Sequence, residues 1–159
     1  MSCDSVEPYE ALWNRALWYL GRRDYGLREL RQKLLRPRPN KPAPAEEDVD
    51  KAMERLVELG LLDDARYAQR LAEALSRKGF STRGIAMELR QRGLDESPEL
   101  PVEDGERLAE LLQTKYQNRL AEERGRRAAY QALLRKGFAH GDIRRAMKEY
   151  LEENQDGEA

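Results

Sequence analysis

The phrase that most constrains this chain is written twice: residues 75–80 read LSRKGF and residues 133–138 read LLRKGF, 58 positions apart. A glycine followed by an aromatic, with a leucine five residues before the aromatic, fits the end of an α-helix. Glycine takes the left-handed position beyond the last turn without a Cβ clash, and the residue after it meets the leucine one turn back. Gly79, Phe80 and Leu75 fill these roles, and Gly137, Phe138 and Leu133 repeat them. A weaker third copy centres on Tyr25, with Leu20 before it and Asp24 in the glycine position, a residue that tolerates the left-handed conformation.

The likeness runs beyond the stop. Five residues after each aromatic stand Leu30, Ile85 and Ile143, and nine after stand Leu34, Leu89 and Met147. Two and three residues before it are always basic: Arg22 and Arg23, Arg77 and Lys78, Arg135 and Lys136. The chain therefore holds three copies of a helix, turn, helix unit, spaced 55 and 58 residues apart. Elsewhere apolar residues recur at helical spacing, as in Leu12, Ala16, Tyr19 and Leu20, or Val49, Ala52, Met53 and Leu56, and no run shows the alternation of a strand. The fold class is all-α, with about eight helices.

Proline divides the chain at RPRPNKPAP (residues 36–44) and again at Pro98 and Pro101. The expected organisation is a loose N-terminus (1–8), a first repeat (9–62) containing a proline-rich connector (37–45), a second repeat (63–122), a third with a reduced last helix (123–153), and an acidic tail (154–159). Three-helix repeats bury small cores singly, so an elongated, curved array of three tandem repeats is expected.

Charge follows the same period. Residues 12–36 carry seven basic and two acidic side chains, and residues 43–64 carry two and eight. Residues 66–94 carry seven and two, residues 95–113 one and seven, and residues 115–148 ten and three. The overall charge of −1 conceals this alternation. Each basic pair has a purely local explanation, since a cation at a helix C-terminus complements the macrodipole. Three pairs backed by Arg28, Arg83, Arg90, Arg92, Arg144 and Arg145 point instead to a basic face for a polyanion or an acidic protein surface.

Enzymatic chemistry is not expected. The chain has one His and one Cys, at opposite ends, and lacks the glycine-rich loop that cradles ATP phosphates. His140 suits a helix start or a surface role, Cys3 an incidental thiol, and Asp63 or Asp64 an N-cap rather than a metal pair. No cofactor or metal is implied. No apolar run has the length of a membrane span and the first residues are acidic, so a cytoplasmic protein is expected, as a monomer for want of an apolar seam.

The hinge phrase LVELGLLDDARYAQRLAE, taken in order with RRDYGLRELRQKLL, SRKGFSTRGIAMELRQRGL and LLRKGFAHGDIRRAM, resembles the bacterial RecX family over about residues 9–151. The resemblance implies three tandem three-helix repeats and a partner, the recombinase RecA and its filament on single-stranded DNA. It also implies suppression of strand exchange, ATP hydrolysis and the co-protease activity that triggers the SOS response. The family's hinge motif falls on Leu59, Gly60, Leu61, Leu62, Asp63, Asp64 and Tyr67, whose role is architectural, with Leu61, Leu62 and Tyr67 packed into the hinge. The proline-rich connector and the interruption at Pro101 depart from the family pattern. The rival readings are a direct DNA-binding helical module, since helix, turn, helix units with arginines on the second helix read base edges elsewhere, and a plain helical scaffold.

Overall fold

The computed structural model of the protein describes residues 5–100 and 102–157, so Cys3 and Pro101 lie outside the described residues. Among these it contains α-helices and one short 3₁₀ turn. They are α1 (Tyr9–Leu20), α2 (Leu27–Leu35), α3 (Glu46–Glu58), α4 (Asp64–Arg77), α5 (Thr82–Gln91), α6 (Asp104–Gln113), the 3₁₀ turn (Gln117–Arg119), α7 (Glu123–Arg135) and α8 (His140–Asp156). The chain divides into two compact units: residues up to Gln69 with Arg90–Glu96, and Arg70–Leu89 with the remainder from Ser97.

In the first unit α1, α2 and α3 pack on one another. Their apolar stripes supply a core of Leu12 and Ala16, Leu30 and Leu34, and Val49, Ala52, Met53 and Leu56, closed by Tyr25 and Leu62. The proline-rich connector carries no helix, yet it is fastened: the Glu7 amide donates to Ala43 O at 2.9 Å. The Glu7 carboxylate, buried, accepts from Arg15 at 2.7 and 3.1 Å and from Arg38 at 2.9 Å. A buried carboxylate held by two guanidinium groups is satisfied in a way an isolated one is not.

In the second unit α6 packs chiefly against α8. The core joins Leu108 and Leu112 of α6, Tyr116 and Leu120, Ala129 and Leu133 of α7, Phe138, and Ile143 of α8. The third copy of the repeat thus closes its core with α6, which precedes it in sequence. Helix α8 runs on through residues 154–156, so much of the segment expected as a tail is helical.

The glycine stops form as the spacing predicts. Gly79 has φ +88°, its amide donates to Ser76 O and the Phe80 amide to Leu75 O, both at 3.0 Å. Gly137 has φ +95°, with bonds to Leu134 O at 3.0 Å and from Phe138 to Leu133 O at 3.2 Å. These are the paired bonds of a Schellman motif. The Tyr25 copy differs. Asp24 is not left-handed, the sole positive-φ non-glycine among the described residues being Asn40. Helix α1 instead ends through Gly21 and Arg22, whose amides bond to Leu17 O and Tyr19 O. A residue with a Cβ makes the left-handed stop costly, and the chain exits by an open turn.

The two RKGF turns touch each other. The Ser81 amide donates to Lys136 O at 2.9 Å, and a Cβ on Gly84 would lie 2.2 Å from that same oxygen. A Cβ on Gly137 would lie 2.6 Å from Gly84 N and Cα. The turn of the third copy therefore seats directly on the first turn of α5, backbone to backbone.

Gly84→Ala is accordingly expected to destabilise the fold by about 2–3 kcal/mol, because the atom it would strike is backbone and cannot swing aside. Gly105→Ala, where a Cβ meets nothing within 4 Å, should change stability by less than about 0.5 kcal/mol. Urea unfolding midpoints of the two variants check this, and equal midpoints would contradict it.

Candidate functional site

The aspartates that read as helix caps also set the geometry of the basic residues. Asp63 caps its own helix, its Oδ1 accepting from the Arg66 amide at 3.0 Å. Asp64 reaches back to α2, accepting from the Leu27 amide at 2.9 Å. Gly26 permits the approach, since a Cβ there would lie 3.1 Å from Leu94 Cδ2. Residues 92–94 lie against the start of α2, and the Arg28 stem lies over Gly93, with Cδ 3.1 Å from the position a Cβ would take.

Arg28, Arg90 and Arg92 consequently line one cleft of about 220 Å³, with Glu29, Gln32, Gln91 and Gly93. Arg92 is aimed by a 3.0 Å hydrogen bond to the Tyr67 hydroxyl. Glu29, the one carboxylate in the lining, is engaged by Arg23. Among the described residues none of the three cleft arginines forms an ion pair.

Other predicted residues are already occupied. Arg22 stacks 4.4 Å from the Trp18 ring, and Arg23 lies 3.8 Å from the Tyr25 ring. The hydrogen bond to Glu29 raises the Arg23 pKa still further above its ordinary value. Arg145 sits 3.8 Å from Asp142. Arg83, Arg135 and Arg144 are exposed, form no ion pair among the described residues, and line neither the cleft of Arg28, Arg90 and Arg92 nor that of Lys78 and Lys115. Of the hinge motif, Leu62 and Tyr67 are buried, whereas Leu59 (47 %) and Leu61 (46 %) face outward. Leu61 therefore does not pack into the hinge as the phrase suggests. Gly60, at φ +70°, turns the chain through a bond from the Leu61 amide to Leu56 O, which fixes the backbone and leaves that side chain outside.

The second unit holds a second cluster, produced by the docked turns. Lys136 Nζ donates to Lys78 O at 2.6 Å and lies 4.9 Å from the Phe80 ring centroid. Lys78 shares a cleft of about 650 Å³ with Arg77, Arg107, Glu110, Leu111, Thr114 and Lys115. Arg107 is committed inside the fold, donating to Phe80 O and Val102 O at 2.8 Å and to Asp104 at 3.1 Å. Asp104 in turn accepts from the Thr82 amide and hydroxyl, both at 2.9 Å, and so caps α5. Burial pushes the Lys136 ammonium below its ordinary pKa of 10.5, and the charges of Lys115 and Lys78 push the same way. Lys115 escapes the sequence pattern because it stands outside the repeated phrase. That its charge acts on Lys136 is visible only in three dimensions.

Among the described residues no group of three His, Cys, Asp or Glu side chains is placed to hold a metal ion. No helix there is long and apolar enough to cross a membrane. His140 hydrogen-bonds through Nδ1 to the Tyr130 hydroxyl, tying the start of α8 to α7.

The class of protein is therefore a set of small helical bundles, reversed by glycine stops, that presents clusters of unpaired cations. A family model described as the RecX second three-helix domain matches residues 63–97. The regulatory protein RecX of Escherichia coli is 38 % identical over 96 residues, 57 % of this chain and 58 % of that protein. The one from Shigella dysenteriae is 37 % identical over 91 residues, 54 % of this chain and 55 % of its own. The chain thus spans a little over half the length of these curated relatives. A crystal structure of RecX from Lactobacillus salivarius shares the fold, with a TM-score of 0.66 and 23 % identity over 89 % of this chain and 95 % of that one. A second crystal structure, of a regulatory protein RecX, gives 0.60 and 22 % over 86 % and 70 %. The family common to these matches is RecX, and residues 63–97 are similar to its second three-helix domain.

A lysine whose folded pKa is lowered carries a penalty while both folded and unfolded chains hold the proton. Stability then rises with pH from the lowered value toward 10.5, because the folded chain releases its proton first. Lys115→Gln removes one of the repelling charges and is expected to stabilise the protein by about 0.5 kcal/mol at neutral pH and low salt. Its advantage should shrink in salt and on alkaline titration. A variant less stable than the parent under all conditions would contradict the repulsion.

Proposed function

We propose that this protein is a non-enzymatic, cytoplasmic regulator that binds RecA and its filament on single-stranded DNA. In this reading it lowers strand exchange, ATP hydrolysis and co-protease activity, and so moderates DNA repair and the SOS response. The observation that carries the reading is the cleft of Arg28, Arg90 and Arg92, whose charges have no acidic partner among the described residues. Arginine forks match carboxylates and phosphates alike, so the cleft suits the acidic protein surface of a filament or the DNA it holds. The family of the matched segment supplies the choice of partner. The relatives themselves are named regulatory proteins.

The test is ATP hydrolysis by RecA on single-stranded DNA with this protein at substoichiometric ratios. Inhibition is expected at ratios too low to coat the DNA, and the triple variant Arg28→Glu, Arg90→Glu, Arg92→Glu should need at least about ten-fold more protein for the same effect while keeping its helical circular dichroism. Unchanged inhibition by the triple variant would remove the cleft from the site. Absence of inhibition, with tight and salt-steep binding to bare DNA, would replace this reading with a direct nucleic-acid binder.

A further inference from the structure

The lysine cluster of the second unit is physically unlike the arginine cleft. Its members come from three separate places in the chain, the two repeated turns and the segment after α6: Lys136 reaches the Lys78 carbonyl because the turns dock through Gly84 and Gly137, and Lys115 lines the adjoining cleft with Lys78. Lys136 is held from behind, its ammonium donating to Lys78 O and lying against the Phe80 ring, with hydrogens to spare for a further acceptor. Among the described residues Lys78, Lys115 and Lys136 form no ion pair. The one carboxylate lining the adjoining cleft is Glu110. Cations gathered without an ion-pair partner cost stability, and the cost is reduced when an anion binds.

The kind of anion follows from the charge and the shape. A nucleic-acid backbone carries one negative charge per phosphate and is matched by cations spread along a track. A convergent group of three ammonium ions matches several negative charges in one place, as in a terminal phosphate or a short polyphosphate. The cleft beside the lysines, about 650 Å³ and walled in part by Val102, Gly79 and Leu111, has the capacity of a small-molecule site. We propose that Lys78, Lys115 and Lys136 form a binding site for a compact polyphosphate, either free or as the phosphate end of a nucleoside di- or triphosphate lodged in this cleft. The proposal concerns the chain alone and does not rest on the filament reading.

The test is a thermal-shift and calorimetric titration of the full chain, without RecA, using sodium tripolyphosphate, ATP without magnesium, inorganic phosphate and a twelve-residue oligothymidylate at one fixed ionic strength. Tripolyphosphate and ATP are expected to bind saturably, at least ten-fold more tightly than inorganic phosphate. ATP tighter than tripolyphosphate would place the nucleoside in the cleft, and equal affinities would assign recognition to the polyphosphate alone; both support the site. Lys78→Gln with Lys115→Gln should weaken binding at least ten-fold with its circular dichroism retained, whereas Arg28→Glu, Arg90→Glu and Arg92→Glu together should not. No saturable binding by either polyphosphate, equal binding by the lysine variant, or tighter binding of the oligonucleotide would overturn the proposal. Inhibition of RecA can survive any of these results, so the two readings fail separately.

Discussion

The close crossing of Gly84 and Gly137 is the contact on which the second unit depends. Two turns can meet backbone to backbone only where neither carries a side chain, and a single methyl group at either position would strike main-chain atoms. From that crossing follow the hydrogen bond from the Ser81 amide to Lys136 O, the position of the Lys136 ammonium on Lys78 O, and the adjacency of the two basic pairs. Glycine here does two separate things. At 79 and 137 it supplies a left-handed backbone, and at 84 and 137 it supplies space.

Two helix starts in this protein are capped from a distance. Asp64 caps α2 from the start of α4, and Asp104 caps α5 from the start of α6, each carboxylate answering an amide that its helix leaves without a partner. Gly26 leaves room for residues 92–94 against the start of α2, and Asp104 holds both Thr82 and the buried Arg107. The acidic residues at the helix starts therefore serve the fold, and the cations they leave unpaired remain on the surface.

The charge alternation acquires a different meaning once the side chains are placed. Of three basic pairs, the first is absorbed into stacking on Trp18 and Tyr25 and an ion pair with Glu29. Of the other cations, Arg28, Arg90 and Arg92 gather in a cleft of one unit and Lys78 and Lys115 line a cleft of the other, while Arg83, Arg135 and Arg144 line neither of these two clefts. Arginine, with a rigid fork, and lysine, with a compact and strongly hydrated charge, are suited to different anions.

How much could be read before the structure is clearest at particular residues. The sequence by itself determined the all-α class, the Schellman stops at Gly79 and Gly137 and the apolar core positions, because these depend on local backbone sterics and on a helical period that the chain writes explicitly. The hinge phrase and its neighbours also carried the resemblance to RecX. Asp24 misled, since a tolerance for the left-handed region is not a preference for it, and Leu61 misled because a hydrophobic residue after a glycine stop need not face inward. Only the tertiary structure decided that α6 completes the last core, that Asp64 serves a helix other than its own, and that Lys115 joins Lys136. Each of those depends on how distant segments pack, a many-body outcome of excluded volume and hydrogen-bond satisfaction that no spacing along the chain encodes.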